Sequence, residues 1–99
     1  MQKNKKSTQD ADSIAIDGLL FIAGDDELLP RFLALTGIQA EQIREAAKER
    51  GFLAGVLQFL LAHEPSLFKF CEHSGHAPES VDIAASSLLG SEERNLYST

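Results

Sequence analysis

Apolar residues recur along this chain at helical spacing in six successive blocks, and no block alternates as a strand would. Ala11, Ile14, Ala15, Gly18, Leu19 and Ile22 form one stripe, which predicts a first helix over 8–23 that stops at Gly24. Ser7 and Asp10 supply an S-x-x-D start signal, a weaker relative of the capping box. Asp25 and Asp26 can cap a second helix, and their charge suits its positive end. If Asp26 is the cap, Pro30 falls awkwardly at the end of the first turn; a start at Leu29 with Pro30 in first place is the alternative. Leu29, Phe32, Leu33 and Thr36 face one way, and Gly37 reads as a left-handed C-cap with Ile38 as its apolar contact. A third helix is expected over 40–50, burying Ile43, Ala46 and Ala47. A fourth, over 52–62, is apolar on every side except Gln58, which places it in the middle of a core. Pro65 fits the first position of a fifth helix, with Leu67, Phe70 and Cys71 on one face and Gly75 at its end. Pro78 opens a sixth over 78–89, with Val81, Ala84, Ala85 and Leu88 inward and Gly90 closing it.

The blocks also repeat. Residues 13–47 align with 51–85 at an offset of 38 without a gap, with 8 identities in 35 positions. Average composition predicts roughly two. Leu19, Phe21, Leu29, Phe32 and Gly37 meet Leu57, Phe59, Leu67, Phe70 and Gly75, and Thr36 meets Ser74. The expected fold is therefore all-α: a compact six-helix bundle built from two similar three-helix units, about 8–50 and 51–90, related by a pseudo-two-fold. The first and fourth helices should lie side by side at its centre, with Phe21, Phe32, Phe59 and Phe70 buried together. Gly18 and Gly55 sit inside apolar helices, where close helix crossing is the expected reason for them. A basic, mobile arm is expected over 1–7 and a polar tail over 91–99.

Composition narrows the class. At 99 residues and 43% hydrophobic content with six Phe, the chain suits one domain with a real core and no disulfide staple, since it has one cysteine. Polar residues follow Lys3, Lys5 and Lys6 where a signal peptide would have an apolar run. The longest apolar runs, 18–24 and 51–62, fall short of the about 20 residues a membrane span needs. A soluble, cytoplasmic protein is expected. The formal charge is −6, of which residues 11–99 carry −8 because residues 1–10 contribute +2. An acidic body repels phosphate backbones, so nucleic acid is not the expected partner. The sixth helix presents Glu79, Asp82 and Ser86 with no basic residue, a face suited to a basic protein partner.

Three groupings invite chemistry. The stretch 29–48, with Gly37 between two helical segments, has the rhythm of a DNA-binding helix-turn-helix. Its second segment mixes Arg44, Lys48 and Arg50 with Glu41, Glu45 and Glu49, and Glu41–Arg44 and Glu45–Lys48 are i,i+3 pairs of a solvated face. Cys71, His73 and His76 form C-x-H-x-x-H, but Cys71 and His73 point to different sides of a helix and His76 lies beyond a glycine turn. Cys71 aligns with Leu33, as a small core residue would. Asp25, Asp26 and Glu27 lack the alternating oxygen ligands and glycine of a calcium loop, and helix capping accounts for them. No phosphate-binding glycine loop or nucleophile elbow occurs. The reading is non-enzymatic, with no catalytic, cofactor or metal residue and no cofactor, and with action through protein–protein contacts. A helix-turn-helix-like nucleic-acid module is the alternative.

The segments 23–47 and 51–75 carry a resemblance. Ala23–Gly24–Asp25, the run 31–38 (RFLALTGI) and the apolar run 51–61 resemble a family of small, uncharacterised alphaproteobacterial proteins classed as a domain of unknown function. The resemblance covers about 10–90 and implies no mechanism.

Overall fold

The computed structural model describes the backbone of residues 2–98 and the side chains of residues 11–90. The expected basic arm (1–7), the Ser7/Asp10 start signal and the polar tail (91–99) lie outside the residues whose side chains are described. Among the described residues the chain forms helices and no strand: α1 (Gln2–Ala23), α2 (Leu28–Thr36), α3 (Ile43–Ala46), α4 (Arg50–Leu61), α5 (Glu64–Ser74) and α6 (Pro78–Ser98), with a 3-10 turn at Ala40–Gln42.

The stripe read from α1 is the face it buries: Ala11, Ile14, Ala15, Leu19 and Ile22 are all in the core. That face lies directly on α4. A Cβ added at Gly18 would stand 3.2 Å from Leu60 Cδ1 and 3.3 Å from Leu57 Cδ2, so the missing side chain is what lets the two helices cross closely. Gly55 is different: nothing lies within 4 Å of its would-be Cβ, so close crossing does not explain it. α4 buries Leu53, Ala54, Val56, Leu57 and Leu60 and leaves only Gln58 exposed among its last six residues. α6 packs along both α4 and α1 with Val81, Ala84, Ala85 and Leu88 buried. It continues through Gly90, which is helical and does not end it, since one helical glycine costs only about 1 kcal/mol.

Asp25 resolves the start of α2. Its Oδ1 accepts the backbone N–H groups of Glu27 (2.8 Å) and Leu28 (3.0 Å), so Asp25, not Asp26, supplies the capping carboxylate, and Pro30 is the third residue of α2, in the first turn where its missing N–H costs no helical bond. α2 and α5 then end alike. Gly37 (φ +74°) and Gly75 (φ +87°) are left-handed, and their N–H groups donate to Leu33 O at 2.9 Å and Cys71 O at 2.8 Å. Thr36 Oγ1 donates to Phe32 O at 2.9 Å, and Ser74 Oγ donates to Phe70 O at 2.8 Å. The same hydroxyls accept from Ile38 N (3.4 Å) and His76 N (3.2 Å). Each of these bonds recurs at an offset of 38. The ring pairs follow it too: Phe21–Phe70 at 5.5 Å and Phe32–Phe59 at 5.3 Å exchange under the offset.

The correspondence ends at the third helix. The helix expected over 40–50 does not form; a 3-10 turn, the four-residue α3 and a turn take its place before α4 begins at Arg50. No residue of the 3-10 turn or of α3 is buried. A helix without a buried face lacks the packing that sustains helices in proteins, whereas α6 has four buried residues to do so. A six-helix pseudo-two-fold is thus not confirmed. The four phenylalanines share one core but unequally: Phe32 and Phe70 are buried, and Phe21 and Phe59 are half-buried against it. No single helix among the described residues is long and apolar enough to cross a membrane. The apolar pair α4 and α5 is bent by 109°, and its inner faces lie in the core.

Candidate functional site

The residues singled out for metal or thiol chemistry are dispersed. Cys71 is half-buried on α5, and burial pushes its thiol up, away from the reactive thiolate. His73 stacks on Phe21 with ring centroids 5.8 Å apart. His76 follows the Gly75 turn, where its Nε2 lies 3.0 Å from Asp17 Oδ2 and its ring packs on Phe70 at 5.9 Å. That contact joins the α5–α6 loop to α1 across 59 residues, a pairing without any local sequence signal. Among the described residues no three His, Cys, Asp or Glu side chains are grouped to hold a metal ion. In the acidic triplet, Asp25 is committed to its cap. The backbone N–H groups of Leu28 and Glu27 hold its carboxyl below the usual value, and Lys69 adds to this.

The helix-turn-helix candidate loses its second helix, because α3 spans four residues. A groove reader needs several turns presenting side chains to base edges. The expected Glu45–Lys48 pair forms at 3.2 Å between two largely exposed side chains. Arg44 is exposed and lines a groove on the other side of α3.

That groove was not read from the sequence. It lies between α1, α2 and the 3-10/α3 segment, encloses about 450 Å³, and is lined by Ile16, Leu19, Leu29, Ala40, Ile43 and Arg44 among others. Leu20 forms one wall and is 65% exposed. Beyond Leu20 lies a second hollow of about 280 Å³, lined by Asp17, Phe21, His73 and Ser74. Leu20 is thus an apolar ridge between an apolar groove and a polar hollow. Ile16, Leu20 and Ala23 recur at i, i+4 and i+7, so a second stripe beside the buried one was the available signal.

On α6, Glu79, Asp82, Ile83 and Ser86 are all exposed at i, i+3, i+4 and i+7, forming one outward row. Ile83, overlooked in the sequence beside its acidic neighbours, is 68% exposed. The row sets a single large apolar side chain within carboxylates and hydroxyls.

Comparison with known proteins places the chain. Residues 8–91 match the family described as Protein of unknown function (DUF3572), and the chain belongs to that family. Neither curated proteins nor solved structures give a match.

Proposed function

We propose that this DUF3572 protein is a small, non-enzymatic, cytoplasmic helical protein that acts by binding a basic protein partner. The observation that carries the reading is the outward row of α6, in which the exposed Ile83 stands one turn above Glu79 and next to Asp82. Burying a side chain of that size against a partner contributes about 1.5–3 kcal/mol. The surrounding carboxylates speed encounter with a basic surface and penalise an acidic one. Over residues 11–90, twelve Asp and Glu stand against five Lys and Arg, which extends the same bias around the molecule. The helix-turn-helix alternative is not favoured: an acidic body works against phosphate binding, and the segment offered to the groove is a four-residue helix. Neither nucleic acid nor a membrane is the partner in this reading.

The resemblance read in the sequence makes an alphaproteobacterium the proposed source, and hence the host for the test. Affinity capture of the tagged full chain from such a host, followed by mass spectrometry, should yield a stoichiometric basic protein. A gel shift of the full chain with duplex DNA at low and physiological salt supplies the control. Sequence-preferring DNA binding that survives physiological salt would move the nucleic-acid alternative ahead.

A further inference from the structure

The geometry points to a second copy of this chain as the occupant of the α1 face, with Leu20 of each copy seated in the apolar groove of the other. This goes beyond the α6 reading and uses a different surface. Across the face the order is Arg44 on the rim formed by α3, then the groove, then the Leu20 ridge, then the hollow that contains Asp17 and His73. A knob beside a hole on one surface is the condition for a closed, isologous contact, in which one patch meets itself about a two-fold axis.

The register that seats the knob also fixes the charges. If Leu20 of one copy enters the other's groove, the axis runs midway between ridge and groove. The element outside the groove then faces the element outside the ridge. Arg44 therefore comes opposite the partner copy's Asp17 hollow, and each such pair occurs twice. Among the described residues Asp17 is paired through a single oxygen, with His76 at 3.0 Å, which leaves the other oxygen for a guanidinium. Arg44 forms no ion pair within the described residues. The match is thus apolar in the middle and oppositely charged at both rims, the anatomy of a specific interface. A basic heterologous helix would be opposed at this face by Arg44. The two copies each carry −6, but at physiological salt this repulsion is screened within about 8 Å.

The test is sedimentation equilibrium of the full chain from micromolar to millimolar concentration at physiological salt. The expected result is a monomer–dimer equilibrium for the wild type and a monomer for Leu20→Asp, with the same helical circular dichroism for both. Asp17→Arg and Arg44→Asp should each weaken dimerisation by about fivefold, as expected for rim charges, and the double swap should recover it. A wild type that is monomeric throughout, a Leu20→Asp chain that still dimerises, or a double swap no better than either single reversal would each overturn the proposal.

Discussion

Replacing Gly18 and Gly55 by alanine, one at a time, separates helix propensity from helix packing. Both residues lie inside α-helices, where alanine is favoured over glycine by about 1 kcal/mol. Nothing stands within 4 Å of a Cβ at Gly55, so Gly55→Ala should stabilise the protein by about 1 kcal/mol. At Gly18 the same Cβ would lie 3.2 Å from Leu60 Cδ1, 3.3 Å from Leu57 Cδ2 and 3.4 Å from Val56 Cγ1. All three of those side chains are fully buried, so they give way only by turning into neighbours that are already packed. Overpacking of that kind costs about 1–3 kcal/mol, which leaves Gly18→Ala between neutral and about 2 kcal/mol destabilised after the propensity gain. The measurement is a pair of urea melts read as midpoint shifts at constant slope. Because propensity is common to both variants, the difference between them reports the α1–α4 crossing alone. Equal stabilisation by the two alanines would refute the crossing at Gly18.

Other perturbations test the remaining parts of the fold. Phe70→Ala, at a fully buried ring, should cost about 3–5 kcal/mol, and Phe59→Ala, at a half-buried one, about half of that; equal losses in denaturant melts would contradict their unequal burial. Gly37→Ala and Gly75→Ala force a side chain into left-handed backbone, so each should destabilise by about 1–2 kcal/mol in thermal melts, with asparagine milder; no loss would contradict the Gly caps. Asp25 has a carboxyl held below its usual value when folded, so its stabilisation is present above the unfolded value and disappears as pH falls through the folded one. The acid limb of stability should therefore be shallower for Asp25→Asn than for the wild type below about pH 4, and parallel limbs would contradict the cap.

The buried half of this molecule is legible in one dimension because helix periodicity is local. The stripes of α1, α5 and α6 and the place of the apolar α4 in the core each follow from residues within a few turns, although α4 buries one face and not every side. The Gly37 and Gly75 caps are legible for the same reason: one residue type at the end of an apolar run determines the backbone there. The third helix misled because Ile43, Ala46 and Ala47 have helical spacing, while they are only half-buried at the edge of the core and none is covered completely. Glycines in α1 and α4 look alike in sequence, and only the crossing geometry separates Gly18 from Gly55. The surface features were harder still. Leu20 and Ile83 are apolar residues adjoining a buried stripe, and their exposure is set by tertiary packing and not by local periodicity. The Asp17–His76 contact depends on tertiary folding across 59 residues.

The central claim, that the protein works through its α6 face on a basic protein partner, is tested most directly by the ratio of partner recovered on two baits. Wild-type protein and Ile83→Asp, matched for helical content and melting temperature, are used for capture under the same conditions. The account predicts that a stoichiometric basic protein is recovered by the wild type and lost from Ile83→Asp. Equal recovery on both baits, or recovery of no stoichiometric protein on the wild type, would contradict it.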